Sequence, residues 1–415
     1  MSSECCALTP NAAKKLMTFL YNTDGRQSVL LLGPPGIGKS ALVRETAMEI
    51  AHSKGRVFLE YNNRHFDAIN LNEVYQHPER YFAFIDLRLT ETEPVDLMGR
   101  PAPVKVGNLT QLVYQPPQWA VLLSSVSGCL FLDEITNVYR PDVVAASYKL
   151  VHDRMSGFTR FCPGVQVVAA GNRPEDSSIA NLLPAPMLNR VYRIEVKPPR
   201  LTEWAAWMNA NQPHYEEKVF AYLCRFPEDF YRVPGEVAIL DGYPTPRSYE
   251  FLARDLAAAV RAGLGAEVIR TLCIAALGTE VGEKFFAFYK HPVPSFDELM
   301  ESPSIFERLS IDERYFAVVV IGQGISKKVL EIKTESRSGS LFEARKMVNY
   351  VISITIPLLE TVAGISREYL GLLWFTLANR VDSPWKEAVY LEICERSDAL
   401  RKAYSAIGNL LRAPA

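Results

Sequence analysis

The sequence predicts an α/β fold, a parallel sheet between layers of helices, followed by an all-helical remainder. Three observations predict it. The stretch "LLLGPPGIGKSALV", residues 30–43, passes from an apolar run through a glycine-rich turn into helical spacing. "GCLFLDEITN" and "VQVVAAGN" are continuous apolar runs that end in polar residues, as strands buried on both faces of a parallel sheet do. From "KPPR" at 197–200 onward, apolar residues recur at the spacing of helices.

Composition sets the outer bounds. With 415 residues, 48% hydrophobic and 22% charged, the chain is expected to form two or three globular domains with a real core. A formal net charge of -2 gives no bulk steering toward DNA or an anionic membrane, although a local basic groove stays open. The seven cysteines contain the neighbours Cys5 and Cys6 but no C-x-x-C, and the six histidines never join them at metal-ligand spacing. A reduced, cytoplasmic chain without a zinc site is expected, and "MSSECCALTP" lacks the basic and apolar regions of a secretory signal. "MVNYVISITIPLL" and "YLGLLWFTLANRV" are interrupted by Asn, Pro and Arg, and read as buried helices too short to span a bilayer.

The first element to justify is the glycine loop, which fits G-x-x-x-x-G-K-S/T at Gly33, Gly38, Lys39 and Ser40. A loop short of side chains turns successive backbone N–H groups toward phosphate oxygens, and the following helix adds its positive end. Gly33, Pro34, Pro35, Gly36, Ile37, Gly38, Lys39, Ser40 and Ala41 are therefore the expected nucleotide-binding residues. Lys39 would reach the β and γ phosphates, and Ser40 would ligate Mg²⁺. The competing reading is an ordinary turn with an exposed Lys, which the strand-loop-helix order disfavours.

Next comes the acidic strand end. Asp133 and Glu134 follow four apolar residues, at the place where parallel strands open toward a ligand crevice. Asp133 is suited to hold the metal with Ser40, and Glu134 to polarise a water for attack on phosphorus. Asn172 ends a third strand at the same edge and is suited to position that water. An acidic pair that only confers solubility, and an ordinary turn Asn, are the plainer alternatives.

At this point the residues resemble the AAA+ ATPases, and within them the bacterial branch of the MoxR family. The segments that carry the likeness are "IDLRLTETEPVDLMGRP", "PPQWAVLLSSVSGCLFLDEIT", "KLVHDRMSGFTRF", "VVAAGNRPED", "PMLNRVYRIEV" and "YPTPRSYEFLAR", within residues 28 to about 255. The resemblance implies a P-loop core with a five-stranded parallel sheet, a helical lid, and a ring, usually hexameric, that remodels protein partners with ATP and Mg²⁺. It also implies that Asn172 is a first sensor, Arg190 an arginine finger and Arg247 a second sensor. A protein carrying a von Willebrand factor A domain, with a metal of its own, is a common companion in this family.

Read from the residues alone, Thr245 and Pro246 look like the cap and first-turn Pro of a helix with an apolar face of Tyr249, Leu252, Leu256 and Val260. Arg247 thus stands at a positive helix end, which is favourable only beside an anion. Nothing but the resemblance singles out Arg190, and Arg193, Arg154 and Arg160 stay open as alternatives. Residues 96–118 read as a hairpin with a Gly-Asn turn, facing either a central pore or open solvent. The segment 53–80 has no task that the sequence reveals.

The expected domains are a core at 1–198, a helical lid at 199–290 and a helical extension at 291–415. Phe316, Tyr350, Trp374 and Trp385 in the extension are expected in the core. The leading functional expectation is an ATP-driven ring acting on a protein. A nucleic-acid motor is the alternative, weakened by the lack of basic stripes and helix-turn-helix patterns. A small-molecule kinase fits Asp133, Glu134, Asn172 and Arg247 less well, because these suit attack by water.

Overall fold

The computed structural model describes residues 7–23, 27–61, 71–176, 180–212, 215–232, 241–335, 340–381 and 384–411. The chain divides into two compact units, Met1–Pro199 and Arg200–Ala415.

In the first unit, chain order runs α1 (Pro10–Asn22), β1 (Val29–Leu32), α2 (Lys39–Ser53), β2 (Val57–Tyr61), α3 (Leu71–Gln76) and β3 (Tyr81–Arg88). Then follow α4 (Pro94–Met98), the hairpin β4 (Arg100–Val106) and β5 (Leu109–Gln115), α5 (Gln118–Ser125) and β6 (Gly128–Asp133). The unit closes with α6 (Pro141–Asp153), the short pair β7 (Met155–Ser156) and β8 (Thr159–Arg160), β9 (Val165–Gly171), α7 (Ala185–Leu188) and β10 (Tyr192–Glu195). One parallel sheet takes the order β10-β1-β9-β6-β3-β2.

Its central strands are the apolar runs of the sequence. Every residue of β9 is buried, and β6 is buried up to Asp133. Phe84 and Phe131 stack across β3 and β6 with ring centroids 6.4 Å apart. Such a sheet has no wet face, so its strands need no polar alternation until they reach the edge where their carboxyl ends emerge.

The sheet has six strands where five were expected. The added strand is β2, from the segment without an assigned task, paired in parallel with β3 from Val57↔Tyr81 to Tyr61↔Ile85. It is an edge strand with Val57 and Glu60 exposed, and Arg44 of α2 holds the Glu60 carboxylate in a two-point contact at 2.8 and 2.6 Å. Residues 62–70 of that segment lie outside the described residues.

The second unit is helical. Its core is continuous from Trp204 to Tyr404 and includes Phe316 and Trp385, with Trp374 packed against it. Tyr350 departs from expectation and is 72% exposed. It lies on the helix Leu341–Ile365, which runs for 25 residues with Pro357 inside it. By length and composition this helix is long enough to cross a membrane, contrary to the shorter element expected, and 39% of its most apolar window is buried in the protein. Pro357 does not end it because the ring lies on the exposed side, where a lost backbone donor bond meets water.

Candidate nucleotide site

The loop expected to hold phosphate connects β1 to α2. Gly38 caps α2 with φ 87°, a left-handed value that a glycine adopts without strain. The first N–H groups of α2 have no partners within the helix and stand open toward the loop. Lys39 is buried, and its ammonium donates to the carbonyls of Gly33 at 2.7 Å and Pro34 at 2.9 Å and to Asn172 Oδ1 at 3.0 Å.

Strand register brings the other side chains to the same edge. Leu32, the last residue of β1, lies opposite Gly171 of β9, and Arg88 of β3 lies opposite Asp133 of β6. Asn172, immediately after β9, therefore emerges beside the loop. Ser40 Oγ donates to Asp133 Oδ2 at 2.7 Å, while the other oxygen of Asp133 accepts the Glu134 N–H at 2.9 Å. Lys39, Ser40, Asp133, Glu134 and Asn172 thus lie together at one edge of the sheet.

Glu134 turns sharply out of β6 with φ 60°, a left-handed conformation uncommon for a residue with a side chain. Its carboxylate accepts the Thr90 hydroxyl at 2.7 Å and lies 3.7 Å from Arg88 Nε. Thr136 Oγ1 accepts the Asn172 N–H at 2.8 Å and so fixes the backbone that carries Asn172. Sequence reasoning missed Arg88, Thr90 and Thr136. Arg88 ends β3, Thr90 lies two residues beyond it and Thr136 three residues beyond β6, so position near a strand end was the only local signal.

Asp86 adds an unpaired tendency to this edge. Desolvation first, and the Asp133 charge second, push its carboxyl up to about 6, against the opposing pull of Arg88; the residue as a whole is exposed, so solvent screens part of this effect. A folded-state value above the unfolded value, about 3.9, means that the native state binds more protons between the two. Stability therefore falls as pH rises through that window, and the cost is fully present above about 6. Asp86→Asn is expected to raise the melting temperature more at pH about 8 than at pH about 5, measured by thermal unfolding in matched buffers. An equal rise at both would show that ionisation of Asp86 is not the cause.

The remaining expected residues lie elsewhere. Arg190 sits exposed in the turn after α7, close enough to His152 that its charge, after desolvation, helps hold that imidazole below its ordinary value. Among the described residues no hydrogen bond or ion pair joins Arg190 to the cluster. Arg193 pairs with Glu195 at 3.3 Å, Arg160 lies against the Met155 sulfur, and Arg154 closes α6 with φ 51°. Arg247 belongs to the second unit, exposed in the first turn of the helix Pro246–Arg261. That turn is capped as expected: Thr245 Oγ1 accepts the Ser248 N–H at 3.1 Å, and Ser248 Oγ accepts the Thr245 N–H at 2.7 Å. Tyr249, Leu252 and Leu256 are buried, but Val260 is exposed, its place in the buried face taken by Ala259.

Residues 29–197 match the family described as AAA, ATPase family associated with various cellular activities. The segment is an AAA ATPase domain, and the chain is an ATP-hydrolysing enzyme that uses ATP with Mg²⁺. No curated protein matches the chain in sequence. Among solved structures the chain is similar to NtrX of Brucella abortus in complex with ADP, at 14% identity and TM-score 0.35, over 96% of this chain and 68% of that one. It is similar to the Orc1 protein of Aeropyrum pernix in complex with DNA at 15% identity and TM-score 0.34, over 87% of this chain and 83% of the other. It is also similar to Hsp104 with ATPγS and FITC casein, at 13% identity and TM-score 0.34, over 87% of this chain and 50% of that one.

The residues present fit this nucleotide. A hydroxyl and a carboxylate already in contact, Ser40 and Asp133, are hard oxygen donors of the kind Mg²⁺ takes. The loop N–H groups and the Lys39 ammonium match phosphate oxygens in sign and geometry.

Proposed function

We propose that the chain is a MoxR-type AAA+ ATPase that assembles into a hexameric ring and uses ATP hydrolysis to remodel or activate a protein partner, a von Willebrand factor A domain protein in particular. The observation that carries this reading is the β4–β5 hairpin, inserted in sequence between β3 and β6, whose following segments carry Thr90 and Glu134. It is paired from Arg100↔Gln115 to Val106↔Leu109 and turns at Gly107 and Asn108, with Gly107 at φ 62° as its turn requires. Nearly every residue of both strands is exposed, apolar ones included, which suits a surface that works by touching another molecule.

In this reading the loop N–H groups and Lys39 bind and orient the phosphates, and Ser40 and Asp133 hold Mg²⁺. Held by Ser40 and Asp133, the ion would supply positive charge to offset the negative charge of the phosphates. Glu134 takes the proton of the attacking water, and Asn172 keeps that water in line. Arg190 serves as the arginine finger for the neighbouring subunit, and Arg247 serves as the second sensor, within a lid formed by residues 199–290 that 291–415 extends.

Replacing Leu112, Val113 and Tyr114 together by Ser is expected to leave basal ATPase within about twofold while abolishing stimulation by the von Willebrand factor A partner, since exposed residues contribute little to stability. Steady-state phosphate release with and without the partner measures this. Equal stimulation in variant and wild type would remove the hairpin from partner contact, and stimulation by single-stranded DNA instead would favour a nucleic-acid motor.

A further inference from the structure

The β4–β5 hairpin does not stand alone. Tyr114 on its inner half meets Phe158 in the tight turn between β7 and β8, ring centroids 5.6 Å apart, and Lys149 Nζ lies 4.8 Å over the Phe158 ring. The turn of the β7–β8 hairpin is fastened to the chain entering β4, where Ser156 Oγ donates to the Leu97 carbonyl at 2.6 Å. Gly157 lies so close to the Met98 carbonyl that a Cβ there would sit 2.2 Å from its oxygen. Leu112 and Phe158 are each 74% exposed, so the pair of hairpins presents one apolar surface to solvent.

Three properties of that surface select an occupant. The first is charge: residues 99–117 and 154–164 contain Arg100, Lys105, Arg154 and Arg160 and no carboxylate, and Lys149 stands beside them. The second is the backbone edge. The two-stranded sheet has no third strand among the described residues, and Pro101 and Pro103 strip donors from the outer edge of β4, whereas β5 contains no proline. An open strand edge pairs with extended polypeptide. The third is side-chain placement: in the hairpin register Leu112 and Tyr114 share one face with Lys105, and Phe158 lies against Tyr114, whereas Val104, Leu109 and Val113 lie on the opposite face.

We propose that the paired hairpins dock an extended, acidic polypeptide segment bearing apolar side chains, which adds as a strand to β5. This rests on the reading above, that the hairpin touches a protein substrate or partner, and it names the chemistry of what is touched. The apolar side chains of the segment fall on Leu112, Tyr114 and Phe158, and its carboxylates face Lys105 and Lys149.

The test uses the full chain with ATPγS and fluorescence anisotropy of three labelled probes: a peptide alternating Glu with Leu and Phe, the same peptide with Lys for Glu, and an oligo-dT strand. The acidic peptide is expected to bind at least about tenfold more tightly than the basic one, and to weaken with added salt. Phe158→Ser and Leu112→Ser are each expected to weaken it by about tenfold, the scale of one lost apolar side-chain contact. The pair Lys105→Glu and Lys149→Glu is expected to reverse the preference between the two peptides. Basal ATPase and melting temperature, which the exposed positions Leu112, Lys105 and Phe158 should not move, are measured for every variant, including the half-buried Lys149→Glu, to verify that each is folded. Equal or tighter binding of the basic peptide, or tighter binding of oligo-dT, would overturn the proposal. If the acidic peptide shows no preference while the triple Ser variant still loses partner stimulation, this inference alone fails. If that variant keeps full stimulation, the reading beneath it fails as well.

Discussion

Arg190→Ala is expected to lower steady-state phosphate release by about 10³- to 10⁵-fold, while ATP affinity falls much less. In the proposed ring, the charge it removes would act on the γ-phosphoryl group as negative charge develops there, not on bound ATP as a whole. Its exposed place outside its own subunit's cluster suits a residue that completes a neighbour's site. Complementation makes the claim sharp. An Arg190→Ala subunit keeps its own Glu134 and borrows Arg190 from a Glu134→Gln neighbour, so rings reassembled from the two inactive proteins regain intact composite sites. Activity in the mixture should exceed that of either parent, with mixed rings verified by native mass spectrometry. Mixed rings without any gain would argue against a shared site. Preserved hydrolysis in Arg190→Ala alone would pass the role to Arg193, Arg154 or Arg160.

Glu134→Gln is expected to slow hydrolysis by about 10²- to 10⁴-fold with ATP binding preserved, whereas Lys39→Ala abolishes binding itself. The structure separates the two residues physically. Lys39 is buried inside the loop, bonded to its carbonyls, so its loss removes the cation on which phosphate oxygens would settle. Glu134 lies at the end of β6, bonded to Thr90, and a Gln there keeps an acceptor for that hydroxyl while losing the ability to take a proton. Titration of a fluorescent ATP analogue against both variants, beside turnover, distinguishes them. Normal turnover in Glu134→Gln would remove that residue from the chemistry.

The parts of the site that were legible in the sequence are those in which a local pattern carries the chemistry. A buried strand entering a glycine loop, or ending in Asp133-Glu134 or Asn172, states its own position, because only the carboxyl edge of a doubly covered sheet tolerates such a change of polarity. Thr90 and Arg88 were hidden because their contact with Glu134 depends on which strands are neighbours, and the β3–β6 pairing joins segments some 44 positions apart. β2 was hidden for another reason. It is short and half exposed, with Glu60 pointing out to Arg44, so it shows neither a full apolar run nor a strict alternation. Phe158 escaped because β7 and β8 are two residues each, too brief for any periodicity. In the helical unit, Pro357 and the polar residues around it suggested an interruption that the helix Leu341–Ile365 does not make, and spacing alone misjudged the exposed sides of Tyr350 and Val260.

The grip on Lys39 has a consequence for the order of events when nucleotide arrives. A flexible lysine in water loses much side-chain freedom when it is captured by a ligand, at a cost approaching about 2 kcal/mol. Here that loss has already occurred during folding, because two carbonyls and the Asn172 amide hold the ammonium in place of solvent. An arriving phosphate exchanges one oxygen partner for another rather than immobilising a free chain, so the lysine is a preset clamp rather than a searching arm. The exchange also releases its third holder. Once a phosphate oxygen takes the donor that Asn172 Oδ1 now accepts, that amide oxygen loses its cationic partner and has both lone pairs for other donors. In the proposed reaction, occupancy of the loop would thereby be felt, through a single side chain, at Asn172.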